Sequence, residues 1–204
     1  MAEEKDSQKK EEQKEYSERQ LVVFNIGQEE FGVDINEVNS IIKMVPITRI
    51  PNAPAFVEGV INLRGRIIVV VDLAKKLGLQ GKERDKDTRI IVVETSQNMV
   101  GMIVDHSREA IRVSEEQIEQ APGLITQKIN SDFLEGVAIV PSGSKEEQQK
   151  NEQNNNRLLI LLDLAKILNE EEMDSVQKTQ ESAENQKGHQ QQSEGQEKSE
   201  DEQN

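Results

Sequence analysis

The chain has 204 residues, a formal charge of −14 and no cysteine, which excludes disulfides, thiolate metal sites and thiol nucleophiles. The acidity is uneven: residues 170–204 contribute −8, residues 1–19 −2 and residues 141–156 −1, leaving a core near neutral at −3 with no basic stripe for nucleic acid. No apolar run reaches membrane-spanning length and the charged N-terminus has no apolar signal core, so a soluble cytoplasmic protein without membrane insertion is expected.

Residues 1–19 are too polar to offset the entropy of ordering and read as a disordered tail. Gln20–Ile26 is a β-branched run, closed by Gly27-Gln28-Glu29-Glu30 and answered by Phe31–Ile35, the pattern of a hairpin. Val38, Ile41 and Ile42 extend the chain. Pro46, Pro51 and Pro54 then break it into a loop, with one helical turn predicted over Pro54–Val57. Val60–Leu63 and Arg66–Val71 flank Arg64-Gly65, where Gly65 supplies the positive φ of a tight reversal. Asp72 is placed to cap a short helix, LAKKLGL, which Gly78 ends. Arg89–Val93 and Met99–Val104 form a second hairpin, turning at Thr95–Asn98. Ser114 to Gln117 has the capping-box spacing, stopped by Pro122-Gly123. Phe133–Val140 and Arg157–Leu162 are the last strands, and Asp163 is predicted to cap LAKILNEEE. Residues 141–156 between them form a polar, low-complexity insert, and 171–204 read as a disordered acidic tail.

The halves repeat. FVEGV at Phe56–Val60 returns as FLEGV at Phe133–Val137, an offset of 77, and RIIVVVDLAKKLGL from Arg66 returns as RLLILLDLAKILNE from Arg157, an offset of 91. The first hairpin maps onto the second at an offset of 69, which sets Leu21 on Ile90 and Gly32 on Gly101. About five short strands per half cannot bury both faces alone, and they are expected to close as barrels and pack on one another. The predicted fold is therefore mainly β: two five-stranded barrel lobes related by duplication, with short helices and disordered acidic tails. Residues 20–170 form one folded unit, lobe one spanning about 20–84 and lobe two about 85–170.

FGVDI, TRIPNAPAFVEGVINLRGRIIVVVDLAKKLGL, VGMIVD and EQIEQAP, in that order, resemble the chemotaxis coupling protein family CheW across Gln20 to Glu170. The resemblance implies SH3-like barrels and a non-catalytic adaptor. Such an adaptor couples the cytoplasmic tips of chemoreceptors to the regulatory domain of the histidine kinase CheA, at the receptor array on the inner membrane face. It makes Arg64, through the NLRG motif, a receptor-binding residue, together with Val38, Ile90, Ile91 and Ala110. Many members carry an acid where Ser40 stands, so Glu37 and Glu58 become the candidate internal anchors. The insert and the long tail are not part of the usual compact form, and the insert is expected to project away from partner surfaces. A coupling module of a pilus-motility array is the alternative circuit.

Few residues point to catalysis. Asp72 and Asp163 are equivalent in the repeat, and symmetry-related carboxylates can share a proton as in aspartic proteases. Each precedes Leu-Ala-Lys at a helix start, however, where capping accounts for it. His106 beside Asp105 has no second core histidine to share a metal. Gly59, Gly65, Gly78 and Gly81 build no phosphate cradle. Gly59 and Gly65 are read as turn residues, and no cofactor or metal is expected.

Overall fold

The computed structural model describes residues 18–94, 99–141, 156–164 and 166–168, with Glu172, Asp174 and Lys178 beyond them. The N-terminal tail to residue 17, the turn at residues 95–98, the insert at 142–155 and the acidic end past residue 178 lie outside the described residues. So does the disorder expected for the tails and the insert.

Among the described residues, eleven strands run in chain order: β1 Glu18–Ile26, β2 Glu29–Asp34, β3 Val38–Lys43, β4 Val57–Leu63, β5 Arg66–Asp72, β6 Arg89–Glu94, β7 Met99–Val104, β8 His106–Ser114, β9 Ile118–Glu119, β10 Leu134–Pro141 and β11 Asn156–Leu162. They form two mixed sheets, ordered β3-β6-β7-β5-β4 and β8-β1-β2-β11-β10-β9. Strand β1 starts at Glu18, two residues ahead of the expected core boundary.

The registers reproduce the sequence repeat pair by pair. Leu21 faces Asp34 and Val23 faces Gly32; 69 residues on, Ile90 faces Ile103 and Val92 faces Gly101. Val57 faces Val71, and its counterpart Leu134 faces Leu162. Both of these hairpins shift register at the same place, between Val57 and Gly59 and between Leu134 and Gly136. The parallel contacts correspond too, Val69 with Val100 and Ile160 with Phe31. The second sheet has a sixth strand only because β9 makes two pairings to β10, where its counterpart Thr48 makes a single bridge to Val60.

The lobe boundaries differ from those expected at 84 and 85. The five-stranded sheet is continuous in sequence, β3 to β7. The six-stranded sheet takes β1 and β2 from before it and β8 to β11 from after it. One sheet is thus nested inside the other, and each repeat places its first hairpin in the sheet completed by the other repeat. Hydrophobic alternation encodes register and face, but not which of two near-identical hairpins fills a slot.

Three apolar clusters follow from the pleat. Leu21, Val23, Ala138, Leu159 and Leu161 cluster on one face of one sheet; Ile61, Ile68, Val70, Ile90 and Val92 cluster on one face of the other. The alternate residues Val22, Phe24, Phe31, Val69, Val71, Ile91, Met102 and Ile160 meet between the sheets. Strand β7 is therefore buried at every position and reads as a continuous apolar run. Each such side chain contributes roughly 1.5–3 kcal/mol, against about 0–1 kcal/mol for an exposed ion pair, so the shared interface outweighs the surface charge pairs.

The short elements answer to local chemistry. Asp72 accepts from the backbone N–H of Lys75 at 3.1 Å and starts the helix Leu73–Leu77, which Gly78 ends at φ 69°. Ser114 and Gln117 form the expected capping box, though around a single 3-10 turn, Glu115–Gln117. Pro54–Val57 is a turn closed by Val57 N–H on the Pro54 carbonyl at 2.8 Å, and the strand begins at once. Asp163 takes the Lys166 N–H at 3.2 Å as Asp72 takes that of Lys75, but it opens hydrogen-bonded turns among the described residues.

Candidate functional site

Strands β4 and β5 are joined by the two residues Arg64 and Gly65, both at positive φ, 54° and 90°. The pairing Leu63 to Arg66 leaves no other way around the corner, and two consecutive positive φ values match the twist of the strands. Asn62 fastens the turn: its Oδ1 accepts the Gly65 N–H at 2.9 Å. Arg64 itself is exposed, and among the described residues its guanidinium makes no hydrogen bond or ion pair. A non-glycine residue in this region carries backbone strain, and here no contact of its own side chain offsets it.

The expected anchors hold other groups. Glu58 is nearly enclosed and is gripped by Lys75 at 2.5 Å and Arg84 at 3.1 Å; Arg84 also reaches Asp72 at 3.0 Å. Burial opposes ionisation of Glu58 most strongly, but the hydrogen bonds from Lys75 and Arg84 together outweigh it and lower its pKa. Glu37 accepts the Leu164 N–H at 3.2 Å. Burial raises the pKa of Glu37, the Leu164 bond works against that, and the nearby carboxylates of Asp163, Glu135 and Asp34 add to the rise. Neither acid holds Arg64.

The remaining predicted site residues separate. Val38 begins β3, half-buried, opposite Val93. The registers put it at the same end of the five-stranded sheet as the Arg64 turn, on the opposite edge strand. Ala110 is exposed on β8, an edge of the other sheet, opposite Val22. Its counterpart in the repeat, Ile41, is one of the exposed large apolar residues at 40%. Ile90 and Ile91 are 0% and 1% exposed: one packs in the cluster on the outer face of its sheet and the other in the interface between sheets. They support the surface from beneath and cannot touch a partner in this conformation.

Sequence reasoning passed over Lys76. Its Nζ lies 5.1 Å from the Phe56 ring centre and 5.3 Å from that of Phe133. It bonds both carboxylate oxygens of Glu172, at 2.5 and 2.6 Å. The signal was present: at the offset of 91 its counterpart is Ile167. Arg19 was also missed, assigned to a tail, yet it joins Asp34 at 3.2 Å and Glu135 at 2.8 Å.

Asp72 and Asp163 each direct their oxygens to a local backbone donor and a local cation, Arg84 for Asp72 and Lys166 at 2.7 Å for Asp163. This is capping chemistry and offers no support for a shared proton. Among the described residues no group of three His, Cys, Asp or Glu is placed to hold a metal ion, and no helix is long and apolar enough to cross a membrane.

Residues 20–172 match the family described as CheW-like domain. The chain is 34% identical over 155 residues to the chemotaxis protein CheW of Klebsiella aerogenes, covering 76% of this chain and 84% of that one. It is 36% identical over 122 residues to CheW of Rhizobium meliloti, covering 60% and 78%. The crystal structure of the scaffolding protein TtCheW from Thermoanaerobacter tengcongensis superposes with a TM-score of 0.62 at 36% identity, covering 74% of this chain and 88% of that one. The match spans more than half of the sequence and runs through both nested sheets: the chain belongs to the CheW-like domain family.

Proposed function

We propose that this chain is a non-catalytic adaptor of chemotaxis signalling that couples chemoreceptor cytoplasmic tips to the regulatory domain of the kinase CheA, on the inner face of the membrane. Relatives named chemotaxis protein CheW and a structural neighbour titled a scaffolding protein support the adaptor role. The observation that carries the site is Arg64: exposed, held at φ 54° by the turn, and without an internal ion pair among the described residues. A planar, permanently charged fork fixed in this way is suited to a partner's carboxylate and apolar flank. Val38 at the same end of the sheet supplies apolar surface to the receptor face, and Ala110 marks a contact on the second sheet. Ile90 and Ile91 contribute by shaping the strands beneath.

The test compares Arg64→Ala and Arg64→Gly. Glycine takes the left-handed conformation without strain, so Arg64→Gly should match or exceed the parent stability by up to about 1 kcal/mol. Loss of an interface arginine should weaken receptor-tip binding by roughly 2 kcal/mol in both variants. Thermal unfolding and titration with a receptor-tip fragment read the two effects separately. Undiminished affinity in both variants would remove Arg64 from the interface.

A further inference from the structure

The two repeats agree so closely in register that departures from their symmetry are informative, and three of them converge on one segment. The chain after β11 carries Leu164, Ile167 and Leu168, all buried in the cluster between the sheets. Among the described residues, its counterpart in the first repeat, the helix Leu73–Leu77, has no carboxylate from the corresponding β7–β8 junction on its first N–H. The C-terminal segment does: Glu37 accepts the Leu164 N–H at 3.2 Å. The residue equivalent to Glu37 is His106, which is exposed. The second departure is Lys76 where the other repeat has Ile167. Phe56 and Phe133 are each other's counterparts in the duplicated FxEGV blocks, and Lys76 stands within about 5 Å of both ring centres, a cation–π arrangement. The third departure is what Lys76 holds. Glu172 receives two hydrogen bonds from it, and the Lys76 side chain is only 9% exposed.

These contacts hold the described C-terminal residues at two places. At one of them the fastening is the 3-10 turn Ile35–Glu37, directly ahead of Val38. Ile35 and Val38 pack on the same cluster as Leu164, Ile167 and Leu168. Movement of the C-terminal residues therefore reaches the start of β3 by a hydrogen bond and by shared packing.

We propose that the residues Leu164, Ile167, Leu168 and Glu172 form a strap, clasped at Lys76, whose docking fixes the turn that presents Val38. Strap docking and partner binding at the Val38 edge are thermodynamically linked: whatever loosens one loosens the other. The link between strap and turn stands on the contacts alone. Its effect on partner binding rests on the receptor-facing role proposed for Val38.

The experiment uses the full chain and two variants. Glu172→Gln removes the clasp charge on a partly exposed residue. Lys76→Met removes it from the other side while leaving an apolar side chain by the phenylalanines, at the position that Ile167 holds in the other repeat. Amide hydrogen exchange is followed in each. Both variants should exchange faster than the parent by about fivefold or more at Leu164–Leu168 and also at Ile35–Val38, with β6 and β7 unchanged. Added receptor-tip fragment should slow exchange at Leu164–Leu168 in the parent, and its affinity should fall in both variants by a similar factor. Faster exchange confined to the C-terminal residues, with Ile35–Val38 unmoved, overturns the proposal. If the fragment fails to bind the parent chain, the receptor-facing reading of Val38 fails, and the exchange at Ile35–Val38 still decides the strap. Should Lys76→Met unfold, Glu172→Gln carries the same comparison.

Discussion

Gly59 occupies a position that no other residue can take without local rearrangement. Its φ is 144°, and a Cβ there would lie 2.2 Å from the Thr48 carbonyl oxygen, the group that bridges Thr48 to Val60. Strain and overlap act together, so Gly59→Ala should cost roughly 3 kcal/mol or more. Gly65→Ala meets nothing within 4 Å and carries only its φ of 90°, so about 1 kcal/mol is expected there. Denaturant midpoints of the two variants check the contrast. Glu37 gives a pH-dependent effect. Its pKa in the fold is raised above the ordinary value of 4.5, chiefly by burial, with Asp34, Glu135 and Asp163 facing it and Arg19 compensating Asp34 and Glu135. A carboxyl group of this kind favours the folded state most when protonated. Its contribution is greatest below the unfolded value and declines as pH rises through the higher folded one. Glu37→Gln keeps an oxygen for the Leu164 N–H and removes the charge. It should therefore raise the melting temperature near neutral pH and flatten the decline above 4.5, as thermal melts across pH would read. The sequence showed Gly65 as a turn glycine and Asp72 as a cap because both are local. The Glu37–Leu164 contact spans 127 residues and left no periodic trace.

Among the secondary elements, the helix Leu73–Leu77 separates capping from charge pairing. Asp72 serves both, through the Lys75 N–H at 3.1 Å and Arg84 at 3.0 Å. Asn retains a good cap and loses only a partly exposed pair, so Asp72→Asn should cost at most about 1 kcal/mol. Asp72→Ala also orphans the N–H and should cost about 1 kcal/mol more. Equal losses in the two variants, measured by urea unfolding, would assign the whole effect to Arg84. The helix was readable because cap, short apolar run and Gly78 stand together. The matching segment after Asp163 reads the same in sequence but is hydrogen-bonded turns among the described residues. Its residues are held by Glu37 and packed between the sheets, and that tertiary setting overrides a local propensity worth a few tenths of a kcal/mol per residue. Ile90 and Ile91 show a related limit. A strand with apolar residues on both faces does not reveal that both faces are covered, and here each faces a separate core.

For the molecule as a whole, the nested sheets give a sharp expectation for a chain divided after Arg84. Residues 1–84 keep β3, β4 and β5 but lose β6 and β7, which lie between them in the sheet. Residues 85–204 keep β8 to β11 but lose β1 and β2, which join β8 to β11. Neither piece alone should show a cooperative melt, and an equimolar mixture should recover one, as circular dichroism and gel filtration would report. Cooperative folding of either fragment would contradict the nesting. The repeat and the hairpins were legible as spacing and alternation. The assignment of hairpins to sheets was not, because the two hairpins are near-copies and either satisfies the pattern.

The nesting also sets an order of assembly during synthesis. A ribosome delivers β1 and β2 first, yet their long-range neighbours β8 and β11 are the product of much later translation. The inner sheet has all its strands once Val104 has emerged; the outer one waits for Leu162. Through that interval the first hairpin, with Phe24 and Phe31 stacked at 5.8 Å in the finished fold, must be sheltered by the completed inner sheet or by a chaperone. The nascent chain is thus most vulnerable to aggregation before its last strands appear, and slowing of translation between β7 and β11 should lower the soluble yield more than slowing after β11.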